Sequence, residues 1–189
     1  MSEEIRTLPE RAALGMPLGE ALARRRSVRA FTGEELTGAE LAALLYAAAG
    51  ITDGEGHRAS PSAMGYKSCR VYAVTKEAVW RFDEDRNALV LVRRGDRRAA
   101  TTAGQDFVKT APLTVAIVCD RKRQADMPDA YPAMDAGAVS ENLYLAAAAL
   151  GLGSVVRGWF DAKTVREELG LAESEVPLLM QTVGHPAAE

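Results

Sequence analysis

Apolar residues recur along the chain at two spacings. Between Thr37 and Gly50, Leu41, Leu44, Leu45 and Ala48 repeat at helical intervals and predict a helix over 37–50 with one buried stripe. Thr37 and Glu40 form a capping-box pattern at its start, and Gly50 ends it. Val139, Leu143, Ala146 and Leu150 predict a longer helix over 135–151, stopped by Gly151. Weaker helical segments fall at 16–25, with Pro17 in the first turn and Leu18 and Leu22 on one face, and at 161–170, with Asp161 as N-cap. A further helix over 96–110 is weakened by Thr101-Thr102-Ala103-Gly104.

The other spacing belongs to strands. Residues 69–76 are rich in β-branched and aromatic side chains, and 79–83 and 89–92 flank a turn at 84–87 as a hairpin. Residues 111–120 form a continuous apolar run, expected to be buried on both faces, and 153–160 and 177–184 complete the set. Helices come first, then a meander with helices inserted between strands. The expected fold class is α+β, a mixed sheet covered by helices in one domain over 1–189, with 1–15 as an extended N-terminal arm.

Composition narrows the function classes. The chain has 189 residues, 48% hydrophobic and 26% charged, with a net charge of −3, so no nucleic-acid or membrane partner is expected. The opening "MSEEIRTLPE" is acidic and polar, which predicts no signal peptide, and no apolar run approaches the roughly 18 residues of a membrane span. Cys69 and Cys119, far apart in apolar surroundings, read as two buried free thiols, in keeping with a cytoplasmic location.

Charge becomes informative at one place. "RRRSVRAF" carries Arg24, Arg25, Arg26 and Arg29 in six positions. In extended backbone Arg25, Ser27 and Arg29 point one way, and two guanidinium forks around a hydroxyl suit a terminal phosphate. A solvated basic helix end is the alternative. In "RASPSAMG" (58–65), Pro61 stiffens the loop, Ser60, Ala63 and Gly65 let a flat ring approach, Ser62 donates and accepts, and Met64 offers an aromatic contact. An ordinary connecting turn is the alternative there. The glycines of "GLGSVVRGWF" follow a helix and precede a strand, which excludes a dinucleotide fingerprint; Gly158 reads as a bulge or a ligand approach. His57 and His185 lack partners at metal-ligand spacing, so no metal site is expected, and no nucleophile elbow or Walker sequence occurs. The residues alone point to a phosphate-bearing, flat-ringed ligand.

Taken together in order and spacing, the blocks "LARRRSVRAFTGEELTGAELAALLYAAAGI", "RASPSAMG", "GDRRAATTAGQDFVKTAPLTVAIV", "MDAGAVSENLYLAAAALGLGSVVRGWFD" and "LLMQTVGHP" resemble the nitroreductase family of FMN-dependent oxidoreductases, most of all its small members related to the SagB-type dehydrogenases. The resemblance implies a nitroreductase-like, mainly antiparallel sheet in a domain-entwined homodimer with FMN at the interface. Arg25, Arg26, Ser27 and Arg29 would hold the FMN phosphate and ribityl chain. Pro61, Ser62, Ala63 and Met64, with Gly65, would reach the flavin of the other subunit, and backbone at Val156, Arg157 and Gly158 would lie near the ring. NADH or NADPH would reduce the flavin at N5 in a ping-pong cycle, and a nitroaromatic, quinone or similar small acceptor would reoxidise it. A SagB-like dehydrogenase with a specific substrate, or a non-catalytic flavin-binding dimer, are the alternatives. Arg157 is the candidate cation for stabilising reduced flavin, so Arg157→Ala is expected to lower the flavin potential. Family members often have asparagine where Gly65 stands, and a basic residue beyond the final strand where this chain reads "HPAAE"; Arg24 or His185 are the candidate substitutes. Arg93, Arg94, Arg97 and Arg98 read as surface charge rather than a 2′-phosphate site.

Overall fold

The structure, a computed structural model, describes residues 3–124 and 126–188. Seven strands form one sheet: β1 (Ile5–Thr7), β2 (Cys69–Val74), β3 (Ala78–Asp83), β4 (Ala88–Arg94), β5 (Leu113–Asp120), β6 (Gly153–Arg157) and β7 (Glu175–Gly184), in the order β1-β4-β3-β2-β5-β7-β6. Every neighbouring pair is antiparallel. Among the described residues the parallel element of the expected mixed sheet is one isolated bridge, Ser27 with Ser154. Among the described residues six α-helices accompany the sheet: α1 (Leu18–Arg24), α2 (Gly38–Ala49), α3 (Phe107–Thr110), α4 (Arg121–Gln124), α5 (Ala130–Ala149) and α6 (Ala162–Leu169).

The two strongest helical patterns build the core. Helix α2 starts on the capping box: Glu40 N–H donates to Thr37 Oγ1 at 3.2 Å and Thr37 N–H to Glu40 Oε2 at 2.7 Å. Thr37→Ala removes the first of these, and a loss of about 1 kcal/mol is expected in urea unfolding. Leu44 and Leu45 of α2 and Val139 and Leu143 of α5 pack on Val115, Ile117 and Val183 of the sheet. On the opposite face, Val165 and Leu169 of α6 pack on Val74, Val118 and Met180. Strand β5 lies between these layers with all eight residues buried, as its unbroken apolar run predicts.

Several boundaries move. Helix α5 starts five residues before the predicted 135, and Pro132 fits because first-turn amide N–H groups have no intrahelical acceptor, so its missing donor costs no helical bond. The segment expected as one helix over 96–110 is a 3₁₀ turn (Arg98–Thr101) and the short α3, parted by Ala103 (φ 45°) and Gly104 (φ 83°). Strand β6 stops at Arg157 rather than 160, so Gly158 lies outside it and marks no bulge. Strand β7 begins at Glu175 rather than 177, and its register with β5 shifts beside Pro177, where no amide is available to donate. The N-terminal arm contributes β1 as an edge strand on β4. In α1 only Ala21 is buried; Leu18 and Leu22, the apolar face of the pattern, are 64% and 53% exposed in this chain.

Cys69 and Cys119 are free, buried and opposite one another in the β2–β5 register, and burial pushes the Cys69 thiol up to about 12. Among the described residues no helix is long and apolar enough to cross a membrane, and no cluster of three or more His, Cys, Asp or Glu is placed to hold a metal ion.

Candidate cofactor site

The basic block leaves α1 as extended chain: Arg25 has φ −51° and ψ 124°. Ser27 then bridges Ser154 of β6, and Val28 N–H donates to Ser154 O at 2.9 Å. This close approach needs Gly153, because a Cβ there would stand 2.8–2.9 Å from the Val28 side chain. Farther on, Thr32 N–H donates to His185 O and Ala187 N–H to Ala30 O, both at 3.0 Å. The chain following β7 is thereby pinned beside the basic block.

Tyr144 of α5 organises the cleft that results. Its Oη lies 3.0 Å from Ser27 Oγ and accepts Val156 N–H at 2.9 Å, while the Arg25 guanidinium sits 5.2 Å from the centre of its ring. A cavity of about 230 Å³ opens here, lined by Arg24, Arg25 and Arg26 on one side and by Gly151, Gly153 and Ser154 on the other. Arg24 pairs with Glu20, and Arg26 donates to the carbonyls of Ala23 and Arg25 at the end of α1. Arg25 and Arg29 have no carboxylate partner among the described residues. Beneath the cleft, fully buried Gln181 donates to Ser154 Oγ at 2.8 Å, and its Oε1 accepts nothing.

The "RASPSAMG" loop is a second construction on α5. Ser60 Oγ donates to Ala48 O at 2.7 Å, and Asn142 Nδ2 ties Ala47 O and Ala59 O together at 2.9 and 3.1 Å. Buried Asp135 accepts Ser62 Oγ–H at 2.8 Å and Ala63 N–H at 2.9 Å. Met64 is thrown outward, 78% exposed, with Gly65 beside it at φ 71°. Nine residues of α5 separate Asp135 from Tyr144, about 13 Å along a helix at 1.5 Å per residue. Loop and basic cleft therefore lie along one helix without forming a single pocket in one chain.

The strand-end residues fare differently. Val156 N–H is taken by Tyr144, and Gly158 is exposed with open space where a Cβ would be. The Arg157 guanidinium is not brought to the cleft. It shares its sheet face with Thr182 and Met180, the face α6 covers, whereas Ser154 and Gln181 face α5. There it donates to Thr182 Oγ1 at 3.0 Å, to Thr101 Oγ1 at 3.2 Å and to Thr101 O, with no carboxylate partner among the described residues. Burial lowers its pKa to about 10, so it stays charged at neutral pH. Within this chain Arg157 fastens the 98–101 turn to the sheet, on the face away from the cleft beside Arg25. Arg93, Arg94 and Arg97 are engaged with Glu167 O, Glu4 and Glu168 at the surface, as expected. Arg98 is instead buried, holding Asp96 and Ala111 O.

Tyr144, Asp135, Asn142 and Gln181 were not singled out from the sequence. Their signal there is polarity inside apolar patterns, since α5 and β7 otherwise carry mostly core residues on their inner faces.

A cleft lined by arginines and small residues thus lies beside the edge strand β6 of a helix-covered antiparallel sheet. The family model of the nitroreductase family matches residues 22–185, and the chain belongs to that family. A Methanocaldococcus jannaschii protein that bears a provisional nitroreductase name is 33% identical over 180 residues, covering 88% of this chain and 90% of its own. A provisionally named nitroreductase of Ralstonia eutropha superposes with a TM-score of 0.91 at 39% identity, over 98% of this chain and 90% of that one. Another from Desulfovibrio desulfuricans, crystallised with FMN, shares the fold with a TM-score of 0.69 at 24% identity, over 92% and 88% of the two chains.

Proposed function

We propose that this chain is an FMN-dependent NAD(P)H oxidoreductase that works as a homodimer and passes electrons to a nitroaromatic, quinone or similar small acceptor. One observation carries the reading: Arg25, free of any carboxylate among the described residues, stands over the Ser27–Tyr144 hydroxyl pair at the mouth of a cavity lined by glycine and serine. A phosphate needs such donors and no competing acceptors. The cavity's 230 Å³ suits a phosphate and its sugar-alcohol chain, and leaves the tricyclic ring to the open surface beyond. The FMN-bound family member supports the choice of cofactor. The exposed Leu18, Leu22, Met64, Met134 and Trp159 support burial of apolar surface against a second copy.

When bound, FMN supplies two-electron transfer through N5. The residues of this chain do the rest. Arg25, Arg26 and Arg29 neutralise the phosphate, Ser27 is oriented by Tyr144, and the 61–65 loop of one copy closes water out of the site of the other. The protein, reconstituted with FMN and desalted, is expected to retain a stoichiometric flavin spectrum, to bleach under anaerobic NADH or NADPH, and to sediment as a dimer. Loss of the flavin on desalting overturns the cofactor assignment. Retained flavin that neither nucleotide reduces overturns the donor.

A further inference from the structure

Asp135 is 6% exposed and has no cationic partner among the described residues. A buried carboxylate in that state requires hydrogen bonds to both oxygens. Both come from one loop, through Ser62 Oγ–H and Ala63 N–H. Ser62 Oγ also accepts Lys67 N–H at 2.8 Å, so the carboxylate and hydroxyl together clasp the two ends of the segment 62–67. What lies between is backbone that would not hold itself. Met64 (φ 54°) and Lys67 (φ 51°) are non-glycine residues in the left-handed region, with Gly65 (φ 71°) between them. Gly65 N–H to Ser62 O and Tyr66 N–H to Ala63 O close the turn locally, and at its far end Arg123 Nη1 donates to Lys67 O at 3.3 Å and Lys67 Nζ to Gly56 O. Met64 and Tyr66 are consequently held outward, 78% and 44% exposed.

We propose that Asp135 is a positioning residue: from behind the loop it fixes the strained 62–67 backbone in the one conformation that a second copy's flavin site accepts, so that cofactor affinity depends on a carboxylate buried out of the cofactor's reach. This rests on the proposed function for the identity of the ligand, but not for the clasp itself. An amide at 135 can still accept from Ala63 N–H. Its NH₂ would meet the Ser62 oxygen that already accepts from Lys67, leaving the Ser62 hydroxyl proton without a partner and the charge assistance lost.

The test compares the full-length dimer with its Asp135→Asn, Ser62→Ala and double variants, reading the FMN dissociation constant and amide exchange at Ala63 and Lys67 without FMN. Asp135→Asn is expected to weaken FMN binding by on the order of tenfold to a hundredfold, measured well below the melting temperature. Exchange at both amides is expected to accelerate. Because Asp135 acts through Ser62, the double variant should bind no worse than the weaker single one. Additive effects on binding, or unchanged affinity in Asp135→Asn, overturn the proposal. If the wild type itself holds no FMN, the cofactor reading has failed, and exchange decides the clasp alone: unchanged rates in Asp135→Asn refute it. Should Asp135→Asn not fold, Ser62→Ala, which removes only a hydroxyl, carries the same two readouts.

Discussion

Arg58→Ala is expected to lower the unfolding free energy by about 3–5 kcal/mol, a large share of the roughly 5–15 kcal/mol typical of a domain. Its side chain is 3% exposed and pairs with Glu84, itself 9% exposed, while Nη1 donates to Cys69 O at 2.8 Å. Truncation leaves Glu84 buried with Arg123 alone, at 3.0 Å, and removes a donor from Cys69 O. Urea unfolding of the variant measures the loss. A drop under about 1 kcal/mol, the level of a surface pair, contradicts the assignment. The same cluster sets an acid limb. Burial works to raise the Glu84 carboxyl, but the charge of Arg58 and the hydrogen bonds from both guanidiniums outweigh it and hold the group at about 2, against 4.5 ordinarily. A depressed folded value means that this stabilisation is complete above pH 4.5 and is lost as pH falls toward 2. Glu84→Gln should therefore be less stable than wild type at neutral pH and lose less on acidification.

Arg25→Glu is expected to raise the FMN dissociation constant by about a hundredfold or more while leaving the fold intact. Arg25 is only half-buried, and among the described residues its guanidinium lies against the Tyr144 ring, an interaction of about 0.5–1 kcal/mol at exposed sites. Toward a phosphate, the loss is of charge-assisted hydrogen bonds, about 1.5–3 kcal/mol each, with repulsion from the new carboxylate added. Fluorescence titration with FMN measures the change. Riboflavin, which lacks the phosphate, should bind the variant and the wild type alike, and that comparison separates a phosphate contact from a general disturbance of the cleft. Equal FMN affinity in variant and wild type would remove Arg25 from the site.

These expectations draw unequally on the sequence. The stripes of α2 and α5, the capping box at Thr37, the doubly buried β5 and the basic block at 24–29 were all legible, because periodicity, capping and charge density are properties of a few adjacent residues. The extended course of the chain after Arg25 was legible for the same reason. Gly153 was not: it opens β6 rather than ending a helix, and Val28 fits into the gap its missing side chain leaves.

The rest depended on partners distant in the chain. An Asp and an Asn on α5 look like solvated polar positions until the sheet brings residues 47, 59, 62 and 63 against them. What the Arg157 guanidinium touches within the chain was likewise set by a distant partner: pairing with β7 puts it beside Thr182 under α6. Leu18 and Leu22 satisfy a core pattern, yet in the folded chain they stay 64% and 53% exposed. By itself the sequence determined the long helices, the central strands and where positive charge is concentrated, since those follow from local backbone and side-chain preferences. Tertiary structure alone decided which polar groups face one another, because register between strands and packing between layers bring together residues as far apart in the chain as Ser27 and Tyr144, 117 positions.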